Sequence, residues 1–580
     1  MINIKINNIP IEVPEGSTVL EAARLAHIDI PTLCYLKDIN EIGACRVCVV
    51  EIKGARGLIA SCVHPVSEGM EIFTNTPRVL DSRKKTLELI LSNHDRKCLS
   101  CVRSGSCELQ TLCEELNVEN ELLYEGERTK HEIDSSAPHM YRDNNKCILC
   151  RRCSAMCEQV QGIGVIGANK RGFETTLSCA FEMNLDDTSC VSCGQCIAVC
   201  PTGALSEKDN TAQVFDALED PDKLVIVQTA PAVRASLGES FGLPIGTNVQ
   251  GKMVTALRKL GFDKVFDTDF AADLTIMEEA TELLDRVNNN GTLPLITSCS
   301  PGWVKYCEHY YPDMIDNLSS CKSPQQMLGA ITKTYYAEKI GVDPSKIFMV
   351  SVMPCTAKKF EVGRDDQDAS GYPDVDISIT TRELARMIKK VGLNFNSLPD
   401  GEFDDPLGRS TGAAVLFGAT GGVMEAALRT AVETLTQEEL SQLDFHEVRG
   451  TEGIKEATYS VAGIELNVAV ASGLANAKKL LDDVKSGKAN YHFIEVMGCP
   501  GGCVNGGGQP IQPSGFRNFN DIRSLRAKAL YEQDEKMTLR KSHENPAIKQ
   551  LYKEYLEEPG SPKAHNLLHT SYVKRTINKV

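Results

Sequence analysis

The 580-residue chain opens with no positively charged leader, no apolar core segment and no paired arginines. No stretch reaches the ~18 apolar residues that span a bilayer. Export and membrane insertion are therefore not expected, and a cytoplasmic setting is. Positive charge is also short: 62 Lys and Arg face 78 Asp and Glu, for a net charge of -16. That balance argues against nucleic acid or an anionic membrane surface as partner. Tryptophan occurs once, and the chain beyond Cys503 holds no cysteine. Elsewhere cysteine is abundant, at 23 residues. In a reducing compartment, clustered thiols bind metal more often than they pair.

At roughly 150 residues per domain, the length fits about four domains. The first, residues 1–78, begins with alternating apolar and polar residues and a helical stretch from Thr18 to Ala26. Its cysteines, Cys34, Cys45, Cys48 and Cys62, resemble the loop-borne site of plant-type 2Fe-2S ferredoxins, with a longer first gap. In residues 79–125, Cys98, Cys101 and Cys107 need a fourth ligand, which either His94 or Cys113 supplies. Zinc on three Cys and one His is the chemical alternative there.

Residues 138–209 carry a duplication. Cys147, Cys150, Cys153 and Cys157 recur 43 residues later as Cys190, Cys193, Cys196 and Cys200. In the bacterial two-cluster repeat, the fourth thiolate of each run serves the other cubane. One 4Fe-4S cluster is thus expected on Cys147, Cys150, Cys153 and Cys200, and its neighbour on Cys190, Cys193, Cys196 and Cys157.

From residue 210 to 580 the cysteines thin out and buried strands alternate with helical stretches. Strands are predicted at 224–227, 293–296, 347–353, 415–417 and 493–497, which gives a large α/β domain with parallel strands. The whole chain reads as a multidomain α+β and α/β protein. Ligands in such sheets bind beyond the carboxyl ends of the strands. The segments Ala230–Arg234, Thr297–Trp303, Pro354–Glu361 and Cys499 to Cys503 fall at those ends. Glu279, Glu282 and Arg286 share one helix face at i, i+3 and i+7.

These segments, with the cysteine ladder, resemble the iron-only (FeFe) hydrogenases of the clostridial, many-cluster monomeric type along the full chain. The resemblance implies reversible oxidation of H2 to protons and electrons. It implies one 2Fe-2S cluster, three accessory 4Fe-4S clusters (one with a His ligand), and an H-cluster. The last is a 4Fe-4S cubane joined to a diiron unit with carbon monoxide, cyanide and azadithiolate ligands. It assigns Cys355 and Cys499 to the cubane, Cys503 to the bridge and Lys358 to a cyanide. Gln325, Met353, Phe417, Met497, Pro231 and Ala232 would line the pocket. Cys299, Glu279, Ser319, Glu282 and Arg286 would carry protons. Ferredoxin or flavodoxin would exchange electrons, and maturation proteins would supply the diiron unit.

The chain departs from this pattern in two places. Where the family's first signature has two adjacent cysteines, this chain has Cys299 followed by Ser300. Ser300 is then the expected fourth ligand, with Cys299 or Cys321 as alternatives. Ala232 stands where close relatives carry Ser. The run Arg540 to Pro546 and the helical stretch after it resemble the family's wrapping tail. A hydrogenase-like redox sensor or electron relay is the competing reading. A subunit of an NADH-oxidising complex fits only the first 210 residues.

Overall fold

A computed structural model describes all residues except 120–123, 125, 437, 441, 462 and 578–580. In the first unit, Ile2–Ile6 pairs antiparallel with Ile9–Val13. Asn7 and Asn8 make the turn at φ 50° and 67°, the left-handed pair that a two-residue hairpin requires and Asn tolerates. Strands Glu71–Phe73, Val49–Ile52 and Ile59–Ala60 complete the sheet. Helix Val19–Leu25 starts on a capping box, in which the Glu21 amide donates to Thr18 Oγ1 at 3.2 Å and the Thr18 amide to Glu21 Oε2 at 2.8 Å. Its apolar face closes the core over Ile4, Ile6 and Val13.

The duplication is visible in the backbone as well as in the cysteines. Leu149 and Arg151 have φ 55° and 63°, and 43 residues later Ser192 and Gly194 have φ 61° and 68°. Each pair precedes a short helix, Arg152–Ala155 or Gln195–Val199. Gly194 has a second constraint: a Cβ there would lie 2.3 Å from Thr356 Oγ1, so the second repeat packs directly on the large C-terminal half.

That half contains two four-stranded sheets. One is wholly parallel, in the order Lys264–Asp267, Leu224–Thr229, Ile347–Met353, Ile377–Thr380. The other runs Leu295–Ile296, Phe493–Met497, Ile464–Ser472, Ile454–Val461, with only the last pair antiparallel. Helix Thr268–Asn288 packs against helices Pro324–Ile331 and Gly422–Thr436.

The strand predicted at 415–417 is not one. Gly412–Val415 is helical and Leu416–Gly418 is a 3-10 turn. A short apolar run reads alike for a buried strand and a buried helix. Glycine decides here: a Cβ at Gly412 would meet Asp534 Oδ1 at 2.1 Å and one at Gly418 would meet Leu530 at 2.3 Å, so helix Ile522–Lys536 sits against this turn. The strand predicted at 293–296 is shortened to Leu295–Ile296.

The tail returns over the parallel sheet. Ile548, Leu551, Leu556, Ala564 and Leu568 are buried in one cluster with Ile226, Phe266 and Leu274. Among the described residues, no helix is long and apolar enough to cross a membrane.

Candidate functional site

The thiols of the duplicated runs fall into two sets. Cys147, Cys150, Cys153 and Cys200 line one cavity, and Cys157, Cys190, Cys193 and Cys196 line another. In the first unit Cys48 Sγ lies 3.4 Å from Cys62 Sγ, and the Cys45 amide donates to Cys34 Sγ at 3.4 Å. No disulfide forms, since that bond requires about 2.05 Å. Burial pushes the Cys147 and Cys150 thiols up to about 12. Such groups ionise only beside a compensating cation, which fits metal ligation.

His94 is buried, and its Nδ1 has no hydrogen-bond partner among the described residues. Burial lowers its pKa to about 4, so the ring is neutral with a free lone pair. Cys113 lies on helix Glu108–Glu115, packed with Leu109 and Leu112, and burial pushes its thiol up to about 12.

In the catalytic half, four chain segments converge on a buried cavity of about 80 Å³, larger than a single water needs. Cys299 and Ser300 come from the end of strand Leu295–Ile296, and Cys355 from Ile347–Met353. Cys499 and Cys503 follow Phe493–Met497, while Pro231 follows Leu224–Thr229. Gln325, Met353, Lys358, Phe417 and Met497 complete the wall. Ala232 is not among the lining residues; it lies buried behind Pro231, and its carbonyl accepts from Gln509 Nε2 at 2.9 Å. Cys321 also lies outside the wall, in the core under the tail. Trp303 is wholly buried behind it, and its Nε1 donates to the Thr297 carbonyl at 3.0 Å.

The glycine-rich segment is a steric necessity. A Cβ at Gly506 would lie 2.2 Å from the Pro354 carbonyl oxygen, and one at Gly502, where φ is 92°, would lie 2.5 Å from the Thr420 amide. Backbone alone fits at these two contacts. Ser300 Oγ accepts from the Gly498 amide at 3.1 Å, which ties the first and last cysteine segments together.

Lys358 Nζ donates to the Cys299 carbonyl at 3.2 Å and to Glu361 Oε2 at 2.9 Å. The same carboxylate oxygen accepts from Ser323 Oγ and Gln325 Nε2, both at 2.9 Å. Glu361 thus anchors both polar groups of the wall. Gln509 braces the opposite side, its Oε1 accepting from Ser236 at 2.6 Å and Thr381 at 2.9 Å. Neither residue was singled out by sequence, because nothing in local spacing marks a lone buried polar residue.

The thiols in this cavity are all pushed up by burial, Cys503 to about 12. Four converging thiols and one ammonium in an apolar chamber form a donor set suited to a cationic iron group with anionic ligands.

Leading away from Cys299, Glu279 sits on helix Thr268–Asn288, fully buried. Burial first, and then the Glu282 charge, push its carboxyl up to about 8. Ser319 Oγ donates to Glu282 Oε2 at 2.8 Å, and Arg286 Nη2 to Glu282 Oε1 at 2.7 Å. Ser319 and Arg286 thus both bond Glu282, whose charge in turn acts on Glu279.

Comparison with known proteins gives matches along the chain. "Iron only hydrogenase large subunit, C-terminal domain" covers residues 223–507 and "Iron hydrogenase small subunit" residues 520–575. Upstream are a "2Fe-2S iron-sulfur cluster binding domain" at 1–77, an "NADH-ubiquinone oxidoreductase-G iron-sulfur binding region" at 83–121 and a "4Fe-4S dicluster domain" at 146–204. The NADP-reducing hydrogenase subunit HndD of Solidesulfovibrio fructosivorans is 53% identical, over 99% of each chain. Iron hydrogenase 1 of Clostridium pasteurianum is 45% identical, over 99% of this chain and 100% of its own. A solved apo [FeFe]-hydrogenase from Chlamydomonas reinhardtii is 46% identical with TM-score 0.57, over 64% of this chain and all of that one.

Proposed function

The chain belongs to the iron-only hydrogenase family, with iron-sulfur domains ahead of its catalytic domain, and on that premise we propose how its residues divide the work. Cys355, Cys499, Cys503 and Ser300 would hold the H-cluster. When bound, that group supplies the exchange of two electrons between H2 and protons. The chain's residues bind it, keep it dry and manage protons. Met353, Met497, Phe417 and Pro231 close the chamber with apolar surface. Lys358, held by Glu361, aims a compact cation at an anionic ligand, where low dielectric strengthens the contact. Gln325, oriented from both ends of its amide, adds a fixed dipole.

Cys299 passes protons to and from the chamber, Glu279 takes them up at an affinity matched to neutral pH, and Ser319 and Glu282 hand them on. Cys34, Cys45, Cys48 and Cys62 would hold a 2Fe-2S cluster, His94, Cys98, Cys101 and Cys107 a 4Fe-4S cluster, and the two duplicated runs a pair of crossed 4Fe-4S clusters, which together would supply electron transfer. The unpartnered His94 nitrogen favours the ring over Cys113 as the fourth ligand. Ferredoxin or flavodoxin is the electron partner, and maturation proteins load the diiron unit. The name of the 53% identical relative favours a second reading, in which this chain works beside an NADP-reducing partner subunit.

The convergence of Cys355, Cys499 and Cys503 on one buried chamber with Lys358 carries this assignment. Protein matured with its diiron unit and reduced by dithionite should evolve H2 by gas chromatography and show infrared bands of bound carbon monoxide and cyanide. Matured protein without those bands would leave only an electron relay.

A further inference from the structure

The two cavities of the duplicated runs differ in their walls. The one on Cys147, Cys150, Cys153 and Cys200 has no histidine or glutamine among its described lining residues. The one on Cys157, Cys190, Cys193 and Cys196 has His139, Gln161 and Gln195, set among isoleucine and valine. The duplication repeats the cysteines but not these side chains. Gln161 stands four residues after Cys157, and the residue four after Cys200 is Ala204, which lines the other cavity and has no side-chain donor.

Gln195 is committed, since its Nε2 donates to the Asn505 carbonyl at 2.8 Å. The other two are not. His139 is buried, its Nε2 lies 3.9 Å from Cys190 Sγ, and its Nδ1 has no hydrogen-bond partner among the described residues. Gln161 is wholly buried. Its Oε1 accepts from the Leu474 amide at 3.2 Å, and its Nε2 has no hydrogen-bond partner among the described residues. A buried donor left unpaired costs free energy, so each of these groups calls for an acceptor. The cavity they share is walled by four thiols.

Both side chains are held in place from the C-terminal half. His139 precedes strand Met140–Arg142, its carbonyl accepts from the Lys208 amide at 3.0 Å, and the strand pairs with Leu205–Glu207. Glu207 in turn accepts from Arg382 at 2.7 Å and Arg386 at 2.6 Å, both on helix Thr381–Lys390. Leu474, which fixes Gln161, opens helix Leu474–Lys485. The segment that carries Cys499 and Cys503 also lies against this repeat, because a Cβ at Gly507 would sit 2.2 Å from the Cys193 carbonyl oxygen.

We propose that His139 Nε2 and Gln161 Nε2 donate hydrogen bonds to sulfur of the 4Fe-4S cluster on Cys157, Cys190, Cys193 and Cys196, and so set its potential above that of its neighbour. A ligating thiolate only accepts hydrogen bonds, so the ring nitrogen that faces Cys190 carries the hydrogen. Reduction adds one negative charge to the cluster. A donor aimed at sulfur stabilises that charge and raises the potential, the more so where isoleucine and valine exclude water. The cluster takes one electron from its neighbour and passes it to the chamber, while both donors keep their hydrogens. The inference rests on the cluster assignment of the hydrogenase reading and adds the residues that tune it.

The test uses the full chain with its iron-sulfur clusters and without the diiron unit, in an EPR-monitored redox titration of the cubane signal that Cys196→Ala removes. His139→Leu and Gln161→Leu should each lower its midpoint, with a roughly tenfold change in the ratio of reduced to oxidised cluster at fixed potential, or about 59 mV for one electron. His139→Gln keeps a donor and should hold the midpoint near that of the unaltered chain. The signal that Cys150→Ala removes should move less in every variant. An unmoved midpoint in both leucine variants would overturn the proposal. So would a fall in His139→Gln as large as in His139→Leu, because shape and not the donor would then set the potential. If Cys196→Ala removes no signal, the cluster assignment fails, and the inference with it.

Discussion

Glu279 shows how one buried carboxyl joins stability to function. Burial keeps it neutral up to about pH 8, against 4.5 when free, so its folded-state proton affinity is raised. Its contribution to stability is fully present below about 4.5 and is lost as pH rises through 8. By linkage, the apoprotein should lose about 1.4 kcal/mol of stability per pH unit over that window from this group alone. Glu279→Gln should flatten that part of the profile, as judged by urea denaturation of the two apoproteins from pH 5 to 8. The same substitution breaks proton transfer and should cut H2 evolution by roughly 10²- to 10⁴-fold. Ser300 makes a second prediction at this scale. A hard oxygen donor favours oxidised iron, so Ser300→Cys should raise the cubane potential, by on the order of tens of millivolts, in an EPR-monitored redox titration.

Among the elements, the segment from Cys499 to Gly508 has the least freedom. Gly506→Ala would place a methyl group 2.2 Å from the Pro354 carbonyl oxygen, a backbone atom that cannot turn aside as a side-chain end can. We expect a loss of roughly 1–3 kcal/mol, seen as a lower Tm, together with reduced iron content. The same close packing explains why residues 415–417 form a helical turn and not a strand. Their apolar run is real, but helix or strand was decided by how near helix Ile522–Lys536 approaches Gly412 and Gly418. Strands Leu224–Thr229, Ile347–Met353 and Phe493–Met497 could be read directly, because parallel strands buried on both faces are continuous apolar runs.

At the scale of the molecule, the chain divides into a cysteine-rich conductor and a layered catalytic half, joined where the second cluster repeat meets Thr356 and Gly507. Because cluster and chamber are built from separate segments, a lesion in one should spare the other. His94→Ala should remove about four irons per chain by elemental analysis, and weaken electron entry from a protein donor more than from dithionite. Equal losses with both donors would mean that electrons bypass this cluster.

Sequence alone determined which cysteines of the duplicated runs share a cavity, since covalent spacing holds them within reach of one another and their 43-residue offset survives in paired left-handed backbone positions. It likewise determined the file of Glu279, Glu282 and Arg286, because a helix turns at a fixed pitch. Only the tertiary structure decided which distant polar groups support them. Glu361 behind Lys358, Gln509 behind Cys503 and His569 beside Ser320 come from unrelated stretches of chain. They meet because each buried donor or acceptor must find a partner once water is excluded, and that partner is chosen by packing, not by distance along the sequence.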